Sequence, residues 1–220
     1  MYAKVSEMQR LIFFSVLRTF GQPEHGDRPD MSQTTQATLK DFAITSDRTA
    51  AQVFWIITFA LLTAAGAQVE IPHVPVPYTL QTFFVLLAGG VLGKRNGFLS
   101  MSLYLILGAV GFPVFSSGGF GLMKILGPTG GYLLAFPLAA LLIGYGMSLR
   151  HSTFWTAVWM FLGLAVIFVF GTFQLALVTQ QSWSEAFGSG FLIFSWWDLT
   201  KLIAAAAIVG EFQRRISKTA

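Results

Sequence analysis

Hydrophobic and polar positions alternate along the chain in blocks. Six stretches, 53–68, 80–92, 98–115, 132–147, 154–178 and 191–209, are dominated by Leu, Ile, Val, Phe, Ala and Gly, with polar or basic residues between them. Crossing a bilayer takes about 17–25 apolar helical residues, and most of these blocks reach that length once their flanks are included. The block 80–92 is the exception. At about 1.5 Å per residue it covers only about two-thirds of a hydrocarbon core roughly 30 Å thick. Directly before it stand Pro72, Pro75 and Pro77. Proline fixes φ and has no N–H to donate, so this segment is extended or turned rather than helical. Irregular backbone at membrane depth survives only where protein or a polar cavity satisfies it. The proline segment is therefore expected to fold back over a cavity.

Composition supports a membrane protein. Of 220 residues 54% are hydrophobic and 11% charged, against about 25% charged in a soluble domain. Cysteine is absent, which excludes disulfides and thiolate metal or redox chemistry. His25, His73 and His151 are far apart and offer no metal cluster.

The basic balance, with a pI near 9.6, is explained by topology. Lys4, Arg10, Arg18, Arg28, Lys40 and Arg48 precede the first block. Lys94 and Arg95 follow the second, Arg150 follows the fourth, and Arg214, Arg215 and Lys218 end the chain. If all six blocks cross, these twelve fall on one side and only Lys124 on the other, with Lys201 inside the sixth block. The positive-inside rule then places both termini in the cytoplasm, and nucleic acid is not the partner. Residues 1–48 read as a flexible extension. "LIFFSVL" is too short to span and lacks a small-residue cleavage site, so it is not a signal peptide. Met31 opens "MSQTTQATLKDF" and is a natural start, leaving 1–30 as a stretch that need not be translated, with a short interfacial helix as the equal alternative.

The strongest candidate chemistry is Asp198 with Lys201 in "FSWWDLTKLIAAAAIVG". Spacing i, i+3 puts both on one helix face, and ionisable groups at membrane depth face the bundle interior and carry function by default. An interfacial, snorkelling pair is the plainer alternative. Trp196 and Trp197 fit an aromatic belt or a ligand wall. The Gly- and Pro-rich stretch 111–131 reads as a lid over a cavity or as a simple connector. "AGGVLGKR" resembles a phosphate-binding loop, but Ala88 replaces its first glycine and Arg95 its magnesium-binding hydroxyl residue. Ala60 and Ala64 form a small-xxx-small pair that permits close helix approach, within the monomer or onto a partner subunit. No Ser-His-Asp set, carboxylate pair or HExxH motif is present. The chain is not expected to be an enzyme, and no cofactor or metal is implied.

The segments "IPHVPVPYTLQTF", "GKRNGFLSMSLYLILGAVGFPVF", "GGFGLMKILGPTGGYLLAFPLAA" and "DLTK" closely resemble the BioY family, the biotin-binding S-components of energy-coupling factor transporters, over residues 50–212. The resemblance implies an all-α membrane domain of six transmembrane helices over 49–220, in a bacterial cytoplasmic membrane. It implies a biotin pocket near the outer face, with lids from the first-to-second and third-to-fourth connections. The family's acidic-x-x-Lys motif maps onto Asp198 and Lys201, with Tyr78, Gln81 and Trp197 expected beside them at the ligand. Ala60 and Ala64 would dock on a transmembrane coupling subunit driven by two ATPases. Where the family carries Pro and Gly before the aspartate, Trp196 and Trp197 stand here, which leaves another small vitamin as the alternative ligand. An intramembrane enzyme or a purely structural protein is a third and weaker alternative.

Overall fold

The computed structural model describes residues 32–149, 152–191 and 196–219. Residues 1–31 of the expected extension, and Arg150 and His151 in the basic turn, lie outside them. Two compact units divide the chain, 1–55 and 56–220. The described part of the first is the leading stretch of one helix, α1 (Ser32–Gln68), so the polar run 32–48 is helical here.

Among the described residues each apolar block of the sequence contributes to a helix. After α1 come β1 (Glu70–Ile71) and β2 (Tyr78–Thr79), an antiparallel pair joining Glu70 to Thr79 and Ile71 to Tyr78. The three prolines occupy the loop between them and need donate nothing to the ladder. Then follow α2 (Gln81–Leu87), widening into a π-helical turn over Ala88–Leu92, and α3 (Gly93–Ala109). The basic pair Lys94 and Arg95 lies in the first turn of α3 rather than in a loop. The whole reversal is made at Gly93, whose φ of +77° is a conformation side chains rarely adopt.

A short helix α4 (Leu122–Leu126) sits in the third-to-fourth connection, followed by α5 (Gly130–Leu149), α6 (Thr153–Thr179), α7 (Trp183–Ala186) with a π turn over Phe187–Phe191, and α8 (Trp196–Thr219). Gln180, in the left-handed conformation, stops α6. Ser182 and Glu185 then form a reciprocal capping box that starts α7. Three segments, Thr49–Gln68, Gly130–Leu149 and Thr153–Thr179, are long and apolar enough to cross a membrane.

α5 is the packing centre and runs against α6, α3, α2 and its wide turn. It is apolar all round, as a buried or membrane helix must be. Close approach is made possible by Gly144, where a Cβ would overlap the backbone at Gly93 and Lys94. The resemblance of "AGGVLGKR" to a phosphate loop dissolves in this packing. Gly89 lies against Ala140 and Ile143 of α5, and Gly90 against Met160 and Val209.

In the small-residue pair of α1, Ala60 is 0% exposed and Ala64 half-buried, so Ala60 packs within the chain while Ala64 keeps part of its surface. On the same helix Thr63 Oγ1 donates to the Phe59 carbonyl at 2.8 Å and lies 3.8 Å from Met101 Sδ of α3, and Ser100 Oγ of α3 donates to the Ile56 carbonyl at 2.8 Å.

Candidate ligand-binding site

The proline segment ends on the wall of a cavity. Val76, Pro77, Tyr78 and Thr79 border it from the strand side, and Gln81 and Thr82 from the first turn of α2. Ser116 and Thr129 border it from the third-to-fourth connection, and α8 contributes Asp198 and Lys201. Its apolar part is Tyr132, Leu133 and Phe136 of α5 with Ile167 and Phe168 of α6. Apolar and aromatic walls with a few convergent polar groups are the ordinary composition of a small-molecule site.

Asp198 and Lys201 are both buried and paired, and Lys201 is tied back to the other wall. Its Nζ donates to the Thr79 carbonyl at 2.9 Å and to Thr82 Oγ1 at 2.6 Å, while meeting Asp198 Oδ1 at 2.5 Å. An ammonium has three N–H groups, and these three acceptors use them all. Thr82 Oγ1 in turn donates to Asp198 Oδ1 at 3.2 Å. Every partner of the carboxylate among the described residues meets Oδ1, which leaves Oδ2 as the acceptor on a residue that borders the cavity. The network joins α8 to α2 and β2 and compensates two buried charges that would otherwise be costly.

A second set of bonds lies beside it. Gln81 Nε2 donates to the Tyr104 hydroxyl, which donates to the Val114 carbonyl at 3.1 Å, and Thr79 Oγ1 donates to Gln81 Oε1 at 2.9 Å. The two connections are also clasped together. Gln68 Nε2 donates to the Phe115 carbonyl at 3.0 Å, Gly118 N donates to Gln68 Oε1 at 3.2 Å, and Ser117 Oγ donates to Glu70 Oε1 at 2.6 Å. The far end of the "GPTGG" run is held by Gln174 of α6, whose amide donates to the carbonyls of Ile125 and Gly127, each at 2.8 Å. At Gly130 a Cβ would collide with the Ile125 carbonyl and with that amide.

Of the residues singled out in the sequence, Asp198, Lys201, Tyr78 and Gln81 are thus brought to one cavity. Trp197 is not. It keeps 42% of its surface exposed and does not border the cavity, because one helical step of about 100° turns it away from Asp198. Its exposure fits the aromatic-belt reading of the sequence rather than the ligand wall. Thr79, Thr82 and Tyr132 escaped the sequence reading. For the two threonines a signal was present, since "YTLQT" sets three polar side chains within four residues immediately before an apolar run.

Comparison with known proteins agrees with this architecture. The model of the BioY family matches residues 33–218. A biotin transporter BioY of Thermotoga maritima is 42% identical over 150 residues, 68% of this chain and 88% of that protein. A probable biotin transporter BioY of Pyrococcus horikoshii is 42% identical over 165 residues, 74% of this chain and 97% of its own length. Among solved structures, the S-component for biotin from an ECF-type ABC transporter superposes with a TM-score of 0.71 at 24% identity, covering 76% of this chain and 93% of that one.

Proposed function

The chain belongs to the BioY family, and from that premise we propose that it is the membrane-embedded subunit that captures biotin on the outer side and delivers it inward. What supports this most is the buried acid–base pair set against an aromatic wall. Biotin presents two ureido N–H donors, a ureido carbonyl, an apolar sulfur-containing ring and a carboxylate on a flexible tail. Asp198 Oδ2 is the free acceptor for a ureido N–H, and Phe136, Phe168 and Ile167 suit the ring. Lys201 has its three donors engaged, so its part is to hold Asp198 in place rather than to meet the ligand carboxylate. Tyr78 and Gln81 complete the polar side.

The same reading takes α2 with its wide turn, α3 and α8 as three further crossings beside the three apolar spans. That makes six helices over 49–220, an extension over 1–48, and both termini in the cytoplasm of a bacterial cell. Transport is then energised by a separate transmembrane coupling subunit with two ATPase subunits.

Tritiated-biotin binding to the purified full chain in detergent tests the assignment. Saturable binding displaced by unlabelled biotin, but not by thiamine or riboflavin, is the expected result. Absence of biotin binding by folded protein that does bind another vitamin would overturn the substrate.

A further inference from the structure

Tyr104 lies on α3 with none of its surface exposed and does not border the cavity. Its hydroxyl nevertheless touches a residue that does. The direction of each bond follows from what the partners can do. The Val114 carbonyl can only accept, so the single Tyr104 O–H is committed to it. Toward Gln81 the hydroxyl can then only accept, and the group it meets must be the amide nitrogen. That places Gln81 Oε1 on the opposite side, where Thr79 Oγ1 donates to it. The Thr79 hydroxyl, its own proton used, accepts from the backbone N–H of Gln81 at 3.3 Å.

The Gln81 amide is therefore dictated from the Tyr104 end, and a flip would take the Tyr104 proton off the Val114 carbonyl, whereas the Thr79 hydroxyl could turn to accept from the nitrogen. One N–H of Nε2 remains unused on a side chain that borders the cavity. Asp198 on the same cavity supplies an acceptor. A ligand with adjacent N–H and C=O groups needs that combination, and an amide free to flip would turn an oxygen toward its carbonyl instead.

We propose that Tyr104 is a positioning residue that holds the Gln81 amide so that its nitrogen serves as donor to the ligand carbonyl. This rests on the biotin reading above. The aromatic ring has a separate packing task, edge-on to Phe115 at 5.5 Å and stacked near Phe136 at 6.2 Å. Tyr104→Phe keeps that ring and removes only the hydroxyl.

The test is a double-mutant cycle in tritiated-biotin affinity on the purified full chain, with thermal unfolding of each variant. Tyr104→Phe should weaken binding about five- to tenfold, the scale of one hydrogen bond, and Gln81→Met by at least as much. The double variant should bind no worse than Gln81→Met alone. If folded Tyr104→Phe binds like the parent chain, the proposal fails. It fails equally if Tyr104→Phe costs the same factor with Gln81 present or absent, since the hydroxyl then acts through packing. A parent chain that binds no biotin defeats the functional reading itself, and this inference with it.

Discussion

Asp198 and Lys201 stand one helical turn apart on α8 with their charged atoms 2.5 Å from each other and their side chains only 4% and 6% exposed. A surface pair at this spacing contributes about 0–1 kcal/mol. A buried one behaves differently, because removing either partner strands the other away from water.

Asp198→Asn keeps the shape of the side chain and replaces acceptor capacity with a donor. Truncating one member of a buried, hydrogen-bonded charge pair costs about 2–5 kcal/mol, so biotin affinity should fall by roughly thirtyfold or more. Lys201→Ala should fall comparably by releasing Asp198 from its position. Equilibrium binding by well-folded variants is the measurement, and unchanged affinity in both would make the pair purely structural.

The twelve-to-one distribution of Lys and Arg predicts the topology. Reporter fusions at Arg150 and after Lys218 should both read cytoplasmic, and a fusion at Ser184 external. A cytoplasmic signal at Ser184 would remove the six-span arrangement.

Two glycines of one π turn should respond oppositely to the same change. A Cβ at Gly190 would sit 2.8 Å from the Tyr132 hydroxyl and 3.0 Å from Thr172 Oγ1, where Tyr132 donates to the Gly190 carbonyl at 3.0 Å. Gly188 has open space around it. Gly190→Ala should destabilise by about 1–3 kcal/mol through overpacking, while Gly188→Ala should be neutral or slightly stabilising. Melting temperatures in detergent decide this, and equal effects would mean that the turn is not held against α5.

Ala60 and the exposed Ala65 give a similar contrast on α1. Ala60→Leu forces a larger side chain into a packed interior and should cost about 1–3 kcal/mol of stability. Ala65→Leu should leave the melting temperature near that of the parent. If Ala60→Leu instead keeps full stability and loses only assembly with a coupling subunit, the inward placement of Ala60 is wrong.

Local regularity carried much of this protein into view before its structure. Helix periodicity alone puts Asp198 and Lys201 on one face, proline chemistry alone bars residues 72–77 from a helix, and long charge-poor blocks alone mark a largely helical membrane protein. All of these depend on neighbours within a few residues. Tertiary structure decided what no local rule contains. Lys201 reaches Thr79 across 122 positions, Thr82 reaches Asp198 across 116, and Gln81 finds Tyr104 on a different helix. Ala60 faces inward, and Trp197 faces away from the cavity, for the same reason. In an apolar bundle every helix face is greasy, so hydrophobicity cannot say which face meets protein and which meets lipid. Only the packing of α1 on α3 and of α8 on α2 makes that choice.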